Sequence, residues 1–284
     1  MSRFPIVAAA ALIAAAPLAT GCGAGGETRP AETMPARSPS AWAVEADAAC
    51  GRARTELDRL PEFETVAELS AADRRTEEIM QTMRDELAAL GPPVDGESAF
   101  EAMLAAYDRA LREFVPAAAA LAELDPDLRL GEVDPDDLPA PLERDLQTSE
   151  DYASHLFEGG RAGFRLRALA CGALHGTAVA LGEMNDSGQT GTAVLLPDGE
   201  QTAVAVSLED APAGRLHASV YVGTCESLIA AVIEYELADV VDGWSYGTLA
   251  TTLPELAATL HHYSIVVTGS ESDEPVACGT LPGP

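Results

Sequence analysis

Five histidines carry the imidazoles that metal binding, proton transfer or nucleophile activation would need: His155, His175, His217, His261 and His262. Their spacing serves none of these well. His217 precedes Ser219 and Tyr221 at alternate positions of one segment, so the three would share a strand face. One imidazole, however, is a poor copper site. His261 and His262 are adjacent; neighbours on a strand point to opposite faces, which reads them as loop residues rather than a chelating pair. Asp151, His155 and Glu158 stand at helical steps on one face, where a divalent ion could sit. On so acidic a helix a solvated polar face is the expectation. No Glu-x-x-His pair occurs, so a di-iron centre has no ligands. Asp125, Asp127, Glu132, Asp134, Asp136 and Asp137 crowd one loop, yet Arg129 stands where a calcium loop needs its third ligand. There is no Gly-x-Ser-x-Gly elbow and no Gly-rich phosphate loop. The sequence therefore assigns no catalytic residue, no metal ligand and no cofactor.

The charge balance narrows the partners. Among 284 residues there are 46 acids and 17 basic residues, all of them Arg, for a formal charge of -29. A phosphate-binding surface needs clustered cations, so nucleic acid is excluded as a partner. Docking on anionic headgroups through a basic patch is excluded for the same reason. A hydrophobic fraction of 47% is ample for real cores.

The N-terminus reads as a targeting segment. Arg3 supplies a positive start and an apolar, Ala-rich run follows to Ala19, too short to span a bilayer comfortably. The run ends in Leu18-Ala19-Thr20-Gly21-Cys22, which resembles the lipobox of bacterial lipoproteins. That resemblance implies a signal peptide over 1–21 and attachment of a diacylglycerol to the Cys22 thiol. Acyl chains at about 0.8 kcal/mol per buried methylene hold a protein on a membrane without a spanning helix. Residues 23–41, rich in Gly, Pro and Ser, would then be a flexible tether. The expected location is the outer face of a bacterial membrane, in the cell envelope.

The rest divides by periodicity. Residues 42–180 carry helical spacing, with stripes such as Trp42, Ala46, Ala49, Cys50, Ala53 and Leu57. A second helix is expected to open at Ser70 with Asp73, and a third near Ser98, kinked or ended by Pro116. A fourth stretch over 142–175 is expected to be interrupted at Gly159-Gly160. Four amphipathic helices with short, Pro-bearing connections predict an antiparallel bundle. From Gly191 the period changes to two: 202–208, 216–222 and 263–268 alternate, and 228–237 and 245–251 are further strand candidates. Leu253-Pro254-Glu255-Leu256-Ala257 reads as one helical turn. The fold class expected is a multidomain α plus β protein, a helical bundle followed by an all-β barrel or sandwich. With Cys22 set aside, four cysteines remain, an even number in an exported chain. Four allow three pairings, and the division into halves selects Cys50–Cys171 and Cys225–Cys278.

Residues 184–284 resemble the superoxide dismutase-like Greek-key domains of bacterial secreted proteins, related to the chordin-type domain. The carrying strings are Ser187-Gly188-Gln189-Thr190-Gly191-Thr192-Ala193, Leu196-Pro197-Asp198-Gly199, Ala211-Pro212-Ala213-Gly214 and Gly223-Thr224-Cys225. Asp242-Gly243, Leu253-Pro254-Glu255-Leu256, Tyr263-Ser264-Ile265 and Val276-Ala277-Cys278-Gly279 continue the pattern. The resemblance implies an eight-stranded antiparallel barrel with a disulfide from a loop cysteine, Cys225, to Cys278 in the last strand. It also marks a departure. Copper-binding members carry His-x-His just before the Gly-Thr-Cys, where this chain has Ser219 and Tyr221, and Thr268 replaces a third ligand. The expectation is a lipid-anchored envelope protein with a non-catalytic binding or structural role, toward another envelope protein or a wall ligand. The competing expectation is a degenerate metal-binding or superoxide-handling protein that uses His217, His261 or His262.

Overall fold

Ser38 accepts the Ala41 N–H and starts α1, Pro39–Leu57, with Pro39 at a first-turn position where its missing N–H costs nothing. The structure, a computed structural model, describes residues 38–134, 137–228, 232–258, 263–270 and 274–282. Cys22, Asp136, His261 and His262 lie outside the described residues.

Helix α2, Val66–Leu90, opens before the expected Ser70. Thr65 receives the Glu68 N–H and Glu68 receives the Thr65 N–H, a reciprocal capping box. Ser70 and Asp73 fall inside the helix, and Asp73 is buried. Helix α3, Glu97–Leu121, runs through Pro116 instead of ending there, carried on by the alanines that follow, the strongest helix formers. Helix α4, Ala140–Arg165, is not interrupted at Gly159-Gly160. These glycines serve close packing. A Cβ on Gly159 would come 2.8 Å from the Tyr107 ring, and one on Gly160 2.9 Å from Leu196. The break comes later, where Arg167 takes φ +65°, and the short α5, Leu169–Ala173, follows.

One core joins these helices. Trp42, Met80, Met83, Leu87, Met103, Tyr107 and Leu156 are buried in it. Trp42 meets Phe100 edge-on at 6.0 Å and donates its indole N–H to the Gly91 carbonyl at 2.7 Å. Cys50 and Cys171 form a disulfide inside the same core, closing the first helix onto the last.

The strands are β1 Thr177–Glu183, β2 Thr190–Asp198, β3 Gln201–Glu209, β4 Arg215–Val222, β5 Ile233–Glu236, β6 Val240–Val241, β7 Trp244–Leu249, β8 Tyr263–Thr268 and β9 Pro275–Thr280. A short helix, α6 Leu253–Ala258, sits between β7 and β8, with Thr252 and Glu255 as its capping box. Every pairing is antiparallel. The order β4-β6-β7-β3-β2-β1-β9-β8 returns to β4 through the β4–β8 pairing, which closes an eight-stranded barrel. Strand β5 pairs with the outer half of β4, beside β6.

Two expectations are corrected. The barrel begins at Thr177, not after 184, because Val179 and Leu181 point into its core directly after the helical part. Of the 228–237 run, residues 229–231 lie outside the described residues, and among the described ones strand is found over Ile233–Glu236. The second disulfide, Cys225–Cys278, ties the loop after β4 to β9.

Strands β2 and β3 are apolar on both faces. Ala193, Leu195, Val204 and Val206 fill the barrel, while Val194, Leu196, Ala203 and Ala205 pack outward on Phe164 of α4. Arg161, one turn earlier on α4, donates to the Pro197 carbonyl at 2.6 Å and pairs with Asp198 at 3.1 Å. The helical part and the barrel therefore share an apolar contact with an ion pair at its margin.

Three titratable groups, Asp145 buried and Asp47 and His175 half-buried, make the helical part sensitive to pH. Burial raises Asp145 to about 6, and its Oδ1 has no hydrogen-bond partner among the described residues. Burial raises Asp47 to about 6, although the Ala170 N–H at 2.7 Å favours its charged form. Both carboxyls cost stability once ionised: their contribution is full below the unfolded value near 4 and is lost as pH rises through 6. His175, lowered to about 3, acts oppositely, losing stability as pH falls from its unfolded value near 6.5 toward 3. Two carboxyls outweigh one imidazole between pH 4 and 6. Replacing Asp145 by Asn is expected to stabilise the protein by about 2 kcal/mol at pH 7.5, a gain that shrinks toward pH 4. Thermal unfolding of both forms across that range measures it; equal midpoints at pH 7.5 would contradict the assignment.

Candidate functional site

Alternation along β4 sets the site. Leu216, Ala218 and Val220 are buried in the barrel, so His217, Ser219 and Tyr221 face outward. Strand β8 lies along one edge of β4, placing Thr268 opposite His217 and Val266 opposite Ser219. Strand β5 lies along the other, placing Glu236 opposite Ser219. Between them opens a groove of about 770 Å³, walled by these residues with Leu228, Leu237, Asp239 and Pro275. The Cys225–Cys278 bridge holds the loop that carries Leu228 against β9.

The polar end of the groove is a chain of three groups. The Asp239 carboxylate accepts from Arg215 at 2.7 Å and from His217 Nδ1 at 2.9 Å. Those two partners, His217 foremost, hold the Asp239 carboxyl below the usual carboxylate range. An ionised carboxylate only accepts, so Nδ1 carries the proton and Nε2 is left for a ligand or water. Arg215 is the single base between 186 and 284. Its pairing with Asp239 leaves no unpaired cation there for an anionic ligand. Among the described residues no hydroxyl hydrogen-bonds His217, so this imidazole activates no nucleophile in the observed geometry. The groove can orient and hold a ligand through hydrogen bonds and the Tyr221 ring.

No protein-family model, no curated protein and no solved structure matches this chain.

Ser219, Tyr221 and Thr268, the positions expected from the resemblance to replace copper ligands, line this groove, and the imidazole beside them is His217, paired with Asp239. Among the described residues no three His, Cys, Asp or Glu side chains converge to hold a metal ion. His155 and Glu158 belong instead to a surface ion cluster. Arg109 bonds both, and Glu113 lies 3.8 Å from His155. Asp151 is exposed and outside those contacts. In the acidic loop, Asp125 caps its own turn through the Asp127 N–H, and Arg129 pairs with Glu64 at 2.6 Å. Sequence reasoning missed Asp239, for which no spacing signal exists; it reaches His217 only because β5 folds back along β4. Among the described residues no helix is long and apolar enough to cross a membrane.

Proposed function

We propose that this chain is a lipid-anchored protein of the bacterial envelope with a non-catalytic binding role. In this reading Cys22 carries the lipid, 23–41 is the tether, and an antiparallel helical bundle supports a Greek-key barrel of the dismutase-like type. The barrel has kept its framework and exchanged metal chemistry for recognition. The groove over β4 carries the proposal: it is roomy, it lies where the resemblance puts copper, and its one described imidazole is engaged by a carboxylate rather than by other imidazoles. A volume of about 770 Å³ lies within the range of small-molecule sites, about 300–1,000 Å³. The partner is an envelope protein or wall component that offers hydroxyls or cations, because the surface from 186 to 284 is strongly acidic and its single Arg is paired.

The test uses the full chain expressed in a bacterium. Cys22→Ser is expected to move the protein from the membrane pellet to the soluble fraction. A photocrosslinking residue at Tyr221 is expected to capture an envelope component that the same residue at exposed Val44 does not. Purified protein given copper is expected to hold none tightly and to show no dismutase activity. Stoichiometric tight copper with dismutation overturns the reading in favour of a superoxide-handling protein.

A further inference from the structure

A second cavity, of about 480 Å³, opens in the helical part close to where the barrel begins. Leu57, Leu60, Leu156, Phe157 and Leu174 give it a mainly apolar wall. Its polar members are nearly all spent. Thr76 donates its hydroxyl to the Ala72 carbonyl at 3.0 Å, and Asp58 pairs with Arg54 at 3.5 Å. Arg54 also donates to the Ala173 carbonyl.

His175 is the exception. The residue lines the cavity, and its Nε2 is buried with no hydrogen-bond partner among the described residues. Burial foremost, then the Arg54 charge, pushes its pKa down to about 3, so the imidazole is neutral at physiological pH. A buried polar atom without a partner is costly, and a ligand that bonds it recovers that cost. The neutral ring offers no charge to hold an anion, and the chain as a whole repels one. The cavity thus combines an apolar wall, an unsatisfied imidazole nitrogen on one of its lining residues and no uncompensated charge.

We propose that this cavity binds an uncharged, mainly apolar small molecule, of the class of a long-chain alcohol, that makes one hydrogen bond to His175 Nε2. The site is separate from the barrel groove and stands whether or not that groove binds a partner. Its size fits a ligand of this kind, at the lower part of the range of small-molecule pockets.

Fluorescence titration of the full protein with 1-aminoanthracene, followed by displacement with 1-decanol, tests it. One saturable site per chain is expected, emptied by decanol and unaffected by decanoate. Ala153→Trp, which fills the cavity, is expected to abolish binding. His175→Leu is expected to weaken decanol at least tenfold, and His175→Gln, which restores a hydrogen-bonding group, to recover most of it. Circular dichroism and thermal unfolding establish that each variant is folded; Tyr221→Ala in the barrel groove serves as a control and is expected to leave the titration unchanged. Absence of a saturable site in the unaltered protein, equal affinity in Ala153→Trp, or displacement by decanoate as strong as by decanol would overturn the proposal.

Discussion

Replacing Cys50 and Cys171 together by Ala is expected to cost about 5 kcal/mol of stability. The two cysteines are 121 residues apart, and closing a loop of that length restricts the unfolded chain by about this amount on the chain-entropy model. The shorter separation of 53 between Cys225 and Cys278 gives about 4 kcal/mol on the same basis. Both Cys50 and Cys171 are fully buried, so the double variant also leaves space in the core that they share with Trp42 and Leu156. Urea unfolding with the second bridge intact measures the effect. A loss below about 1 kcal/mol would mean that the unfolded chain is already compact enough to make the crosslink redundant.

Phe164→Ala is the second large effect, at about 3–5 kcal/mol, the usual cost of deleting a buried aromatic ring. Phe164 is fully buried and belongs to α4, yet it packs on Val194, Leu196, Ala203 and Ala205 of the barrel. Its ring also lies tilted against Tyr246 at 5.8 Å. Gly172 fits only because it lacks a side chain: a Cβ there would come 2.0 Å from the ring. Removal of the ring therefore strikes the contact between helices and strands. Calorimetry is expected to show the unaltered protein melting in one transition and the variant in two. A single transition at an unchanged midpoint would show that the junction contributes nothing.

Much of this architecture is legible in the residues. The helical stripe from Trp42 to Leu57 is the buried face of α1, and the alternation over 202–208 is β3. Misreadings have identifiable causes. Gly159-Gly160 resembles a break in a one-dimensional pattern, but the missing side chains are occupied in space by Tyr107 and Leu196. Ser70 with Asp73 imitates a capping box; Thr65 with Glu68 is the one whose backbone has the extended turn that a cap needs. Strand β1 is hidden because it follows the last helix with scarcely a turn, and only Val179 and Leu181 mark its inner face. The candidate site is less legible than the fold. Ser219 and Tyr221 can be placed by alternation, whereas Asp239 and the burial of His175 and Asp145 depend on contacts between distant segments. No periodicity encodes such contacts.

The covalent link between Cys50 and Cys171 has a mechanical meaning. Tension applied to the chain ahead of α1 reaches Cys50 and crosses the sulfurs to Cys171, which stands just before β1. The load path thus bypasses α2, α3 and α4, which hang from it as an unstressed side branch. A second link, Cys225–Cys278, takes the strands between those residues out of the path as well, so a pull between residue 38 and the C-terminus would fall on β1 to β4 while those three helices stay folded, unless a reductant first opens the shortcuts.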